Sequence, residues 1–371
     1  EIARALHEND IRLVLDGVFN HMGRNSARFK DAEANPESEY RDWFYFGDQY
    51  QSGARCWWLA ENLPEINLEN PKVRKHVYAG KNSAVRGYLR DGVDGWRLDV
   101  AMDIGMKWLT ELTAAAHREK PGSLVVGEIA NYPKEWFPAV DGIMHFTMKN
   151  ILLGLMNGDI DAQHARRMIE RMYRDSDFEH MLMSWIYLDN HDTPRLAHMV
   201  NDPQRRRLAQ LLQFTLPGSP NLYYGTELGM TGGDDPEMRA PMRWDWVNDQ
   251  NVSLTWTKQL IQLRRNHRAL RVGDFRSVET NALFGFERFT DRVEDTVIVL
   301  TNPTNVEVTE TVLIANSKLM NTFECVDVID PNFRVPIYTS MVTVTLQPGA
   351  FRVLVPDVTS RGGYNSYKRV K

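Results

Sequence analysis

Apolar positions along this chain follow two rhythms. Up to about residue 270, short apolar runs alternate with amphipathic stretches of helical period; beyond it only strand-like alternation persists. Ile2–His7 has the pattern of the end of an amphipathic helix, and residues 11–15 (Ile-Arg-Leu-Val-Leu) that of a short buried strand delivering Asp16. Similar runs end at Asp99, Glu128, His145, Leu188 and Tyr224, with helical patterns over 71–90, 104–119, 162–173, 204–216 and 254–267. Strands alternating with helices predict an α/β fold, a (β/α)8-type barrel that is incomplete in this chain at about six βα units. A closed barrel of this type takes eight strands, so the strand from Ile11 is expected to be an open edge. Either further polypeptide precedes Glu1, or a homodimer completes the barrel.

After residue 271 the strand-like runs 282–289, 296–300, 306–314, 322–329, 340–346 and 351–355 predict a carboxyl-terminal antiparallel β-sandwich. The expected organisation is a barrel portion over 1–270 with an inserted loop domain at 22–67, a sandwich over 271–358, and a disordered tail over 359–371 rich in Gly, Ser, Arg and Lys. The insert is crowded with aromatic residues between Tyr40 and Trp58. Most are expected to form its own small core, with Trp57 and Trp58 the candidates for stacking on a sugar ring.

Composition narrows the classes of partner. A net charge of −5 over 371 residues, with both signs interspersed, argues against nucleic acid. The run Arg205-Arg206-Arg207 follows an Asn-Asp-Pro helix start and is expected to be a solvated helix face. Two cysteines, Cys56 and Cys325, make neither a disulfide framework nor a thiolate metal site. No apolar stretch has membrane-spanning length, no signal segment is evident, and a cytoplasmic location is expected. A Gly-rich phosphate loop, a Gly-x-Ser-x-Gly elbow and a His-Glu-x-x-His pattern are all missing from the sequence.

The chemistry lies at the strand ends. Four short motifs appear in order: Asp16 to His21, Gly95 to Asp99, Gly127 to Ile129 and Asp189 to Asp192. In a parallel α/β barrel the carboxyl-terminal strand ends converge on one mouth, so three carboxylates delivered there suggest attack on a glycosidic bond. Arg97 and Asp99 are two apart on a strand and share a face; a guanidinium beside a carboxylate favours the ionised form, which suits Asp99 as nucleophile. Glu128 follows the apolar run Leu124-Val125-Val126, and burial that raises its pKa suits it as general acid and then base. Asp192 supplies the third carboxylate, with His21 and His191 placed to hydrogen-bond ring hydroxyls.

Together these motifs resemble those of the α-amylase family, glycoside hydrolase family 13. The resemblance implies a retaining mechanism with Asp99 as nucleophile, Glu128 as acid/base and Asp192 as transition-state stabiliser, the first two carboxyls being about 5–5.5 Å apart. It implies that Arg97, His21 and His191 line the reacting-sugar subsite, that Asp16 and Asn20 brace Arg97 and the loop, and that the first two barrel strands are absent. Leu63-Pro-Glu65-Ile-Asn67 and the stretch from Met230 to Arg239 and on through Arg243-Trp-Asp are similar to the cyclomaltodextrinase, neopullulanase and maltogenic amylase group, with Glu65 in place of a lysine and Ala130 in place of a bulky tryptophan. The implied substrates are α-1,4-linked maltooligosaccharides, starch or cyclodextrins. Alternatives are an α-1,6-glucosidase or glycosyl transferase of the same family, and a non-catalytic carbohydrate-binding or scaffold protein. No cofactor is required; Ca²⁺, held by Asn20 and loop carbonyls, is the one ion the resemblance suggests.

Overall fold

In the computed structural model every residue is described except Leu59, Arg361, Gly363 and Lys371. The chain divides into two compact units, 1–144 and 145–371, a boundary that falls inside the expected barrel portion.

The first unit is organised by a four-stranded parallel sheet in the order β1 (Val14–Gly17), β2 (Gly95–Leu98), β3 (Leu124–Gly127), β4 (Gly142–Ile143). Its register sets Asp16 beside Arg97, and Arg97 beside Val126. Backbone bonds carry the pairing past the strand ends, from Asp99 N–H to the Gly17 carbonyl and from Glu128 N–H to that of Leu98. Gly95 is required for this closeness, because a Cβ there would sit 2.4 Å from the Leu124 carbonyl oxygen. At the opposite ends of the strands, Asp94 accepts from Lys120 Nζ at 2.7 Å and from the Leu13 N–H at 2.8 Å, and lies 2.7 Å from His7 Nε2. Burial pushes the Asp94 carboxyl up, but these donors outweigh it and hold it well below the usual carboxylate range.

The helix expected over 71–90 is broken. Pro71–Arg74 runs into a widened turn, Lys75–Ala79, stops at Gly80, and a second helix, Ala84–Arg90, starts from Ser83, whose hydroxyl caps the Arg86 N–H. The helix expected over 104–119 is observed as Met106–Glu119; a short helix, Ala101–Ile104, precedes it and is set off by Gly105, whose φ of 82° only glycine adopts without strain. In the insert, Phe29, Trp43 and Phe44 are buried and pack edge-on or stacked with Tyr40 and Phe46, which is the small aromatic core expected there.

The second unit opens with the helix Phe146–Asn157 and contains a parallel strand pair, β5 (Trp185–Ile186) and β6 (Ser219–Pro220). With the sheet of the first unit this makes six parallel strands among the described residues, the βα units of a (β/α)8-type barrel. The Arg205–Arg207 run is not a free face. Arg206 donates to the Val200 and Asn201 carbonyls, Arg205 to the Met156 carbonyl, and Arg207 lies over the Trp256 ring, since their long stems reach neighbouring acceptors and an aromatic face.

The carboxyl-terminal region is an antiparallel sandwich. One sheet has six strands in the order β12 (Arg334–Pro336), β11 (Glu324–Asp327), β14 (Phe351–Pro356), β9 (Val297–Thr301), β8 (Phe284–Phe289), β7 (Asp274–Val278), and the other pairs β10 (Val308–Leu313) with β13 (Met341–Leu346). Ile298, Leu300 and Leu354 from the larger sheet meet Val312, Val342 and Val344 from the smaller in one core. Tyr367, in the tail expected to be disordered, is only 5% exposed and joins that core. Its single aromatic ring overrides a composition otherwise typical of disorder; Arg361, Gly363 and Lys371 of the same tail lie outside the described residues. No helix among the described residues is long and apolar enough to cross a membrane.

Candidate active site

The site in the first unit is built around Arg97. Lying mid-strand with 7% exposure, its guanidinium meets three carboxylates: Nη1 donates to Asp16 Oδ1 at 2.6 Å and to Asp99 Oδ1 at 2.9 Å, while Nη2 lies 2.8 Å from Glu128 Oε1. Its Nε points at Met144 Sδ, 3.5 Å away. Burial pulls the guanidinium pKa down, but Glu128, Asp16 and Asp99 together raise it. A planar fork is suited to hold two carboxylates side by side, which a point-charge ammonium is not. The alternation argument for Arg97 and Asp99 is thus matched by a direct contact. Asp16 is 56% exposed at the sheet edge, so its pairing is the most solvent-screened of the three.

Glu128 has a second support that the sequence did not disclose. Its Oε2 accepts from the Val100 N–H at 2.9 Å. Val100, next to Asp99, has φ 44° and ψ 45°, a left-handed conformation disfavoured for a β-branched residue by about 1–3 kcal/mol. The apolar sequence neighbours of Glu128 imply partial burial, which the structure shows, but not the guanidinium whose Nη2 lies 2.8 Å from Glu128 Oε1.

His21 is buried, with Nε2 3.9 Å from Asp99 Oδ2 and Nδ1 3.4 Å from Asn20 Nδ2. Burial lowers its pKa more than the facing Asp99, Glu65 and Asp103 raise it, so the imidazole is neutral at neutral pH. Glu65 is paired within the insert with Arg55, whose Nε lies 2.5 Å from Oε2. Trp57 lies against the His21 ring, and Trp58, 81% exposed with φ 50°, projects outward. Asn20, the suggested calcium ligand, has its carbonyl bonded to the Ile66 N–H and its amide turned to His21. No group of three or more His, Cys, Asp or Glu among the described residues is arranged to hold a metal ion.

In the second unit His191 and Asp192 occupy a turn after β5. The Asn190 side chain accepts from the Asp192 N–H at 3.1 Å, and Asp189 is buried under the Leu196 N–H and the Thr226 hydroxyl, so these two residues shape the turn. Burial pushes the Asp189 carboxyl up against those donors and the nearby Arg195 and Lys149 charges. Asp192 is half-exposed, with Oδ2 3.2 Å from His191 Nε2 and Oδ1 receiving Arg239 Nη2 at 3.0 Å. Arg239 also donates from Nε to the His191 carbonyl at 2.9 Å, clamping both motif residues at once. Arg239 is not among the site residues expected from sequence, although it lies inside the similar stretch that runs from Met230 through Asp245.

The chain is similar to known proteins along most of its length. Residues 1–291 match the model of the alpha amylase catalytic domain. The chain is 32% identical over 315 residues to a cyclomaltodextrinase of a Bacillus species, covering 80% of this chain and 55% of that protein. It is 30% identical over 306 residues to neopullulanase 2 of Thermoactinomyces vulgaris, covering 78% and 51%. It therefore spans about half the length of the curated relatives it matches. A solved structure of a cyclomaltodextrinase superposes with a TM-score of 0.84 at 27% identity, over 96% of this chain and 62% of that one. With a matching catalytic-domain model over most of its length and relatives of this similarity, the chain belongs to the alpha-amylase family.

Proposed function

We propose that this chain carries the catalytic centre of a retaining α-glucanase that hydrolyses α-1,4-glucosidic bonds of maltooligosaccharides, starch or cyclodextrins. The observation that carries the reading is one buried guanidinium, Arg97, in contact with both Asp99 and Glu128. In the first step the Asp99 carboxylate attacks the anomeric carbon while Glu128 gives its proton to the departing glycosidic oxygen, leaving a glycosyl ester. In the second, Glu128 as carboxylate takes a proton from water, whose oxygen attacks the same carbon and releases Asp99. Two inversions give net retention. Arg97, in contact with both carboxyl groups, holds them side by side for the two steps.

Asp192 is assigned to stabilise positive charge developing on the sugar, with its carboxylate oriented by Arg239. His191 and the neutral His21 are assigned to sugar hydroxyls. Coverage of the β1 edge, by further polypeptide or by a homodimer, and a cytoplasmic location complete the reading. The edge position of β1, with exposed Ile11 and Val18, supports the first, and two free cysteines support the second.

The test is cleavage of maltotriose, starch, pullulan and β-cyclodextrin by wild type, Asp99→Ala and Glu128→Gln. Both variants should keep the far-UV circular dichroism of the wild type and lose turnover, and fresh product should be the α-anomer by NMR. Unchanged cleavage in either variant rejects the assignment. Pullulan cleaved at its branch-type bonds alone would move the reading to an α-1,6-glucosidase, and binding without turnover by the wild type to a scaffold.

A further inference from the structure

Asp103 stands four residues after Asp99, in the short helix Ala101–Ile104 that follows β2. Its Oδ2 accepts the Trp57 indole Nε1–H at 3.0 Å. An indole has a single donor, so this bond fixes the rotation of the ring. The backbone of Trp57 is held independently, by its N–H on the Leu63 carbonyl and its carbonyl under the Ala60 N–H.

So fixed, the Trp57 ring lies nearly parallel to His21, with an interplanar angle of 25° and centroids 5.7 Å apart. That is direct ring-to-ring packing, and it leaves no space for a pyranose between the two. The inner face of Trp57 is therefore spent on the imidazole. Trp58, tilted 48° to Trp57 and open to solvent, is the ring left to face a sugar. The covered imidazole carries Nε2 toward Asp99 and is held on its other side by Asn20.

We propose that Asp103 is a positioning residue: it locks Trp57 flat against His21, and Trp57 in turn keeps the imidazole in place beside Asp99. Trp57 thus serves the histidine, not the substrate. The effect on turnover rests on the α-glucanase reading above, but the contact itself does not.

The experiment uses the full chain with Asp103→Asn, Asp103→Ser, Trp57→Phe and the double variant Trp57→Phe/Asp103→Ser. Asparagine keeps an acceptor at the same reach; serine is too short, and phenylalanine keeps a ring without the donor. In ¹H–¹⁵N spectra the Trp57 indole resonance, assigned by its loss in Trp57→Phe, should move in Asp103→Ser and lose protection from exchange, and hold in Asp103→Asn. kcat/KM on maltotriose should fall about tenfold in Asp103→Ser, stay within about twofold in Asp103→Asn, and be no lower in the double variant than in Trp57→Phe. An indole resonance indifferent to Asp103→Ser overturns the inference, as do equal losses in the asparagine and serine variants or additive losses in the double. A wild type without turnover, with the indole shift intact, would instead refute the α-glucanase reading and leave the positioning contact standing.

Discussion

Acid should weaken this protein through one buried histidine. His145 is 1% exposed at the start of the helix Phe146–Asn157, where its Nδ1 accepts the Met148 N–H at 3.4 Å and its Nε2 has no hydrogen-bond partner among the described residues. With Nδ1 as acceptor the ring is neutral and its proton sits on Nε2; a second proton would break the cap and bury an uncompensated charge. Burial alone lowers its pKa from 6.5 to about 4. Because the folded value lies below the unfolded one, the unfolded chain binds the proton first. The stability in question is complete above pH 6.5, is lost as pH falls from 6.5 to about 4, and levels off below that. At about 1.4 kcal/mol per pH unit the gap corresponds to about 3 kcal/mol.

The perturbation that isolates this contribution is His145→Asn, which retains an acceptor for the cap and cannot titrate. Urea unfolding followed by circular dichroism at pH 7, 6, 5 and 4 gives the stability of each protein. Any loss of packing in the variant is independent of pH. The wild type should therefore lose about 3 kcal/mol more than His145→Asn between pH 7 and pH 4, other titrating groups cancelling in the difference. Parallel pH dependences for the two proteins would refute the reasoning.

Two further outcomes follow from the ion-pair geometry. Arg97→Lys should preserve the fold by circular dichroism yet lower kcat/KM on maltooligosaccharides by about a hundredfold, because one ammonium cannot reach the Asp99 and Glu128 oxygens together. Arg239→Ala should lower kcat by about tenfold with little change in melting temperature, since the half-exposed pair with Asp192 contributes orientation more than stability.

The parallel sheet and sandwich were legible because their rhythms differ: period-two alternation with turns at short intervals after residue 271, and buried runs spaced by helices before it. The Arg97–Asp99 contact was legible for the same reason, since strand periodicity fixes which neighbours share a face. The helix break at Gly80 was missed because periodicity continues across a residue whose backbone does not. Arg97 reaching Glu128, Asp103 reaching Trp57 and Arg239 reaching Asp192 each join segments 31 to 47 residues apart. No local pattern encodes such pairings; they arise from strand register and loop return. Tyr367 escaped notice because composition averages over a segment, whereas burial is decided one side chain at a time.

The strained valine after Asp99 has a consequence for how this centre can vary. A single peptide unit supplies the chain connection of one carboxylate and a hydrogen-bond donor to the other. Rotation of that unit therefore moves both together, like two pointers on one spindle. Substitutions that relax the turn cannot retune Asp99 without also disturbing Glu128, which confines tolerated change at position 100 to side chains that leave its backbone where it is.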